Sequence, residues 1–102
     1  MIEMKVEQMD GKRFRASENF ICRTIADTTV LISVGANIAN FNGYIELNES
    51  AKDIWNKLQV PCTVKEVVDF LVDEYDITQE EAQKDTVDFL NTLLEHNMVV
   101  SE

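Results

Sequence analysis

A chain of 102 residues carrying a formal net charge of −10 has the size of one domain, and its acidity repels phosphate backbones and anionic membrane surfaces. Hydrophobic residues make up 45% of it, which supports a modest core and speaks against wholesale disorder. No apolar run approaches the ~20 residues of a membrane helix. The opening stretch, MIEMKVEQMDGKRFR, lacks the apolar centre of a signal peptide, so a cytoplasmic location is expected. Cys22 and Cys62 lack CxxC spacing and read as reduced thiols, Cys22 in a strand pattern and Cys62 in a turn. Most of the charge lies late in the chain. Residues 51–102 hold four Lys against twelve Asp or Glu (−8), and residues 1–50 hold five Lys or Arg against seven (−2).

Residues 1–19 are polar and mixed in charge, with a turn signal at Asp10-Gly11, and read as a partly flexible tail or at most a marginal strand. Phe20–Ala26 is rich in β-formers. Asp27-Thr28 is a turn candidate, and Thr29–Val34 is a second strand, so the two form an antiparallel hairpin. Residues 35–42 read as a loop containing Ile38 and Phe41. Gly43–Leu47 is a third strand, with Tyr44 and Glu46 on one face and Ile45 and Leu47 on the other.

At Asn48 the period switches from two to 3.6. Asn48 can cap a helix whose buried face is Ala51, Ile54, Trp55 and Leu58. Pro61 breaks that helix. Thr63-Val64-Lys65-Glu66 matches a capping box and opens a second helix with the stripe Val64, Val67, Val68, Leu71, Val72 and Tyr75. Thr78-Gln79-Glu80-Glu81 opens a third helix, which runs to about His96. Asn97 suits a left-handed cap, and Met98–Val100 a short terminal strand. Strands followed by helices give an α+β domain: a three-stranded antiparallel sheet, then three helices packed on one face.

Catalytic chemistry finds little support. The three glycines are isolated, so there is no phosphate loop, and a single His rules out a His-based metal cluster within one chain. The carboxylates Asp69, Asp73, Asp85 and Asp88 fall opposite the apolar stripes, as a solvated face does. A Cys–His96 nucleophile pair has nothing to support it. The expectation is a protein without enzymatic activity or cofactor. Two features point to binding. The third strand ends a meander and leaves an edge that could accept a strand from another chain. The third helix has an apolar arc wider than one sheet contact requires.

Leu47-Asn48-Glu49 with Ala51, Ile54-Trp55 and Leu58 is similar to the LNE-x-A-x-x-IW-x-x-L pattern of the PqqD family, the pyrroloquinoline quinone biosynthesis protein D-like domains. Thr63-Val64-x-Glu66-Val67-Val68, Tyr75-Asp76-Ile77, and Ala82 with Asp85-Thr86-Val87 and Phe89-Leu90 resemble further segments of that family in the same order. The resemblance covers about residues 20–100 and leaves 1–19 outside a 20–102 PqqD-like domain. It implies a winged-helix-like fold and a role as a peptide-recognition element in the biosynthesis of ribosomally made, post-translationally modified peptides. Such a domain captures a precursor's leader and presents it to a modifying enzyme, often a radical S-adenosylmethionine protein. Carried over by position, the leader would add to Phe41, Asn42, Gly43, Tyr44 and Ile45 and pack against Asp85, Thr86, Asp88, Phe89, Thr92 and Leu93. An acidic helix suits a leader carrying Lys or Arg.

Two alternatives stand beside this reading. A winged-helix regulator could place the third helix in the major groove of DNA, but Lys84 stands there against Glu80, Glu81, Asp85, Asp88 and Glu95. A structural homodimer could form through the same strand edge.

Overall fold

The computed structural model describes residues 5–34 and 44–101. Its elements in chain order are α1 (Val6–Met9), β1 (Arg13–Ala16), β2 (Phe20–Ile25), β3 (Thr28–Ser33), β4 (Tyr44–Leu47), α2 (Glu49–Lys57), β5 (Cys62–Thr63), α3 (Val64–Glu74), α4 (Gln79–Glu95) and β6 (Val99–Ser101). The α+β class follows as expected: the antiparallel meander β2–β3–β4 precedes α2, α3 and α4.

The helix ends are set by side chains read directly from the sequence. Asn48 Oδ1 accepts the Ala51 N–H at 2.9 Å and opens α2. Thr63 Oγ1 accepts the Glu66 N–H at 3.2 Å while Glu66 Oε1 accepts the Thr63 N–H at 2.9 Å, a complete capping box. Thr78 Oγ1 accepts the Glu81 N–H at 3.1 Å. At the far end of α4, Asn97 takes φ 57°. Its N–H bonds Leu94 O at 3.2 Å and the Met98 N–H bonds Leu93 O at 2.8 Å, closing the last carbonyls. Met98 and Leu93 are both fully buried, so the cap also seals an apolar contact.

The N-terminal reading needs correction. The stretch expected to be a tail holds a short helix and a strand, and β1 is the centre of a second sheet ordered β5-β1-β6. Arg13 pairs with Thr63 and Phe14 with Cys62 on one side. Phe14, Arg15 and Ala16 pair with Ser101, Val100 and Val99 on the other. Phe14 and Met9 are fully buried and join the core. The Ala16 N–H also bonds Leu58 O at 2.8 Å, and the Ser17 N–H bonds Met98 O at 2.9 Å. This segment therefore ties the end of α2 to the end of α4. Cys62 accordingly sits in strand β5 and is buried, not in a turn. Both cysteines are free thiols, and Cys22 is only half-buried.

The hairpin turn also lies one residue earlier than expected. Ile25 pairs with Thr28, leaving Ala26-Asp27 as the loop, with Ala26 at φ 54°. That left-handed conformation is costly for a residue with a Cβ.

The core joins the inner faces of both sheets to the three helices through Trp55, Leu31, Ile54, Leu58, Leu71, Leu90 and Leu93. Across the α2–α3 contact the Tyr75 hydroxyl donates to the Asp53 carboxylate. That bond, with burial second, pushes the phenol from its ordinary 10 up to about 12. The neutral phenol is the form the fold favours. Its contribution is thus complete below pH 10 and is lost as pH rises from 10 through 12. Tyr75→Phe is expected to lower stability at pH 7 by about 1 kcal/mol. It should also flatten the decline between pH 10 and 12, as measured by urea unfolding across that range.

Candidate functional site

β4 alternates exposed, half-buried, exposed, buried from Tyr44 to Leu47. Ile45 and Leu47 thus turn to the helices, and Tyr44, 61% exposed, and Glu46 turn away. On one side β4 pairs with β3, from Thr29↔Leu47 to Ile32↔Tyr44. Among the described residues nothing pairs with its other side, so β4 is an edge. In an antiparallel ladder alternate residues turn their N–H and C=O to the partner, and the interleaved ones turn theirs outward. The edge therefore offers backbone donors and acceptors.

Asn48 joins β4 to α2 with a single residue, which places the first turn of α2 beside the end of the strand. Between that turn, the strand and α4 lies a depression of about 800 Å³. Ile45, Leu47, Ala51 and Phe89 supply its apolar surface, and Thr92 and the Asp27–Thr29 end of the hairpin border it. A smaller depression of about 300 Å³ shares Asn48, Ala51, Phe89 and Thr92 with it and extends to Asp85 and Asp88. The two form one groove floored by apolar side chains. Its rim carries Asp27, Glu46, Glu49, Asp85 and Asp88 against Lys52. Lys84 Nζ sits 2.9 Å from Asp88 Oδ2, which raises the Lys84 pKa and occupies the only Lys of α4 in an exposed ion pair.

The sequence-predicted site residues divide three ways. Ile45, Asp85, Asp88, Phe89 and Thr92 line the groove, and Tyr44 lies on the same edge but points to the outer face. Thr86 and Leu93 are fully buried and face the core along the stripe Ala82, Thr86, Leu90 and Leu93. In this structure they are not open to a ligand. Phe41, Asn42 and Gly43 lie outside the described residues. Sequence reasoning missed the α2 contribution, Ala51 and Lys52 above all, and the hairpin end at Thr28 and Thr29. The one-residue junction at Asn48 was the signal that the first turn of α2 must flank the edge.

Thr86 gives a clean test of that division. Its hydroxyl is buried and bonds nothing among the described residues, and an unmet buried hydroxyl is destabilising. Thr86→Val is expected to raise stability by about 1 kcal/mol. Thermal unfolding would register the gain, and ligand affinity at the groove should stay unchanged.

Groups suited to covalent chemistry lie elsewhere. The Cys62 thiol is buried, donates to Lys57 O at 3.3 Å, and has its pKa pushed up by that burial. Among the described residues no group of three His, Cys, Asp or Glu could hold a metal ion. None of their helices is long and apolar enough to cross a membrane.

An open strand edge above an apolar, acid-rimmed groove defines a binding module. The profile of the family Coenzyme PQQ synthesis protein D (PqqD) matches residues 17–99, and the chain belongs to that family. Its match begins after β1, so the segment that completes the second sheet lies outside it. Among solved structures the chain is similar to TbiB1 in complex with the TbiA(beta) leader peptide, at 24% identity and a TM-score of 0.66 over 83% of this chain and 93% of that one. It is also similar to a lasso peptide synthetase B1 complexed with the leader peptide, at 23% identity and a TM-score of 0.68 over 85% of this chain and 96% of that one. At these identities the likeness is one of fold. No curated protein matches the chain.

Proposed function

We propose that this chain is a non-catalytic, cytoplasmic peptide-recognition domain of modified-peptide biosynthesis. It captures the leader of a precursor peptide and presents it to a modifying enzyme. The leader adds as a strand to the open edge of β4, with backbone hydrogen bonds giving affinity and the groove selecting side chains. The observation that carries the reading is the edge itself: among the described residues β4 pairs only with β3, and the strand borders a groove walled by α4. Membership of the PqqD family supports it. So does the fold shared with two proteins whose structures hold leader peptides.

The rim charge favours leaders with Lys or Arg near the strand-forming segment, since opposite charge speeds encounter. The same charge opposes the nucleic-acid reading. The test is a titration of isotopically labelled protein with leader peptides encoded beside its gene, followed by NMR. Shifts are expected at Tyr44–Leu47 and along Asp85–Thr92. Shifts absent from both stretches with every such leader would end the proposal, and salt-sensitive binding to duplex DNA would favour a regulator instead.

A further inference from the structure

We infer that the outer face of the β5-β1-β6 sheet is where the modifying enzyme docks, through an acidic patch of that enzyme set among apolar side chains. The inference rests on the peptide reading and adds to it the surface that engages the enzyme.

The register of β1 fixes which residues share this face. Phe14 and Ala16 turn inward and are buried, so Arg13 and Arg15 turn outward. Arg13 pairs with Thr63 on β5, and Arg15 pairs with Val100 on β6. On the other side of β1, the Ala16 N–H bonds Leu58 O at 2.8 Å, which brings the turn at Val60 alongside. Lys12 and Arg13 are exposed and Arg15 is half-buried. Val60 and Val100, on the two flanks, are 62% and 41% exposed. Two arginines thus stand between two valines open to solvent.

The charge here is opposite to that of the chain. Lys12, Arg13 and Arg15 follow one another with no carboxylate between Asp10 and Glu18, in a protein of net charge −10. Lys57, at the end of α2, adds a fourth cation. The Glu66 carboxylate is held low first by its bond to the Thr63 N–H, and the charges of Arg13 and Lys57 add to that effect. The same two cations act on the Cys62 thiol, against the burial that raises it. Their fields therefore overlap around β5.

A basic face with exposed valines fits a protein partner. Arginine and apolar side chains are what protein interfaces concentrate, whereas the overall charge repels the long phosphate backbone of a nucleic acid. The place of the face names the enzyme. Ala51, in the first turn of α2, lines the groove, and Lys57, in the last, reaches the second sheet. At ~1.5 Å per residue they stand roughly 9 Å apart along the helix. An enzyme seated on this face is within reach of a peptide leaving the groove. β1 precedes the residues matched by the family profile, 17–99, so its arginines are a feature of this chain outside that match. Strands of two to four residues make a small face, well under the ~800 Å² of a standard interface, so each residue on it should matter.

The test measures two affinities of the full chain: for the purified modifying enzyme encoded beside its gene, by biolayer interferometry, and for a labelled leader, by fluorescence anisotropy. Arg13→Glu and Val100→Glu should each weaken enzyme binding about tenfold and leave leader affinity unchanged. Arg23→Glu makes the same change of charge at an exposed position of the other sheet, and should leave both affinities within about twofold. Circular dichroism on each variant separates loss of docking from loss of fold. The inference is overturned by a wild-type chain that does not bind the enzyme, by enzyme binding that ignores Arg13→Glu and Val100→Glu, or by binding that Arg23→Glu weakens equally. Duplex DNA bound by the wild type and released by Arg13→Glu would assign the face to nucleic acid and overturn it too. Each of these outcomes leaves leader binding standing, whereas a leader that fails to bind the wild-type chain counts against the peptide reading itself.

Discussion

Phe14→Ala is expected to lower the free energy of unfolding by about 3–5 kcal/mol, a large share of the roughly 5–15 kcal/mol that holds a domain of this size together. Phe14 is fully buried in the core. It also sits where β1 bridges β5 and β6, pairing with Cys62 on one side and Ser101 on the other. Its loss empties a cavity between the start of α3 and the end of the chain. Arg13, next to it, is exposed, and Arg13→Ala should change stability by no more than about 0.5 kcal/mol. Guanidinium unfolding followed by the fluorescence of Trp55, itself buried, reads both variants. If Phe14→Ala behaved like Arg13→Ala, the segment would be a tail after all and the second sheet would contribute nothing.

That segment also shows where sequence reading stops. Arg13-Phe14-Arg15-Ala16 alternates as a strand should, but four residues between a turn and a polar stretch carry too little pattern to separate strand from tail. The deciding information is elsewhere: β1 pairs with Cys62–Thr63 and Val99–Ser101, and local periodicity says nothing about such distant partners. Pro61 was legible as the end of α2, yet the strand after it was hidden by its two-residue length. Asn48, Thr63, Thr78 and Asn97 were readable because a cap depends only on residues three or four away. The same contrast runs through the groove. The β4 edge followed from strand order. On α4 the apolar arc was visible, but its division between core and groove depends on where α2 and α3 pack. Thr86 and Leu93 therefore fell to the core, while Phe89 and Thr92 stayed at the opening.

Phe89→Ala is expected to weaken leader binding about thirtyfold, on the order of 2 kcal/mol, because a half-buried aromatic at the centre of a groove is the usual anchor of an interface. Phe89 borders both depressions, so its ring lies where strand and helix walls meet. The variant should stay folded, and fluorescence anisotropy with a labelled leader gives the affinity. This result alone shows that the groove is used. Strand addition needs a second measurement, made on the peptide: single N-methyl groups placed along the leader. An added strand turns only alternate N–H groups to β4. Methylation at those positions should cost about fivefold each, the worth of one backbone bond of ~1 kcal/mol, and the interleaved positions should tolerate it. A leader that depends on Phe89 yet shows no such alternation would be bound by side chains in the groove, with the β4 edge left unpaired.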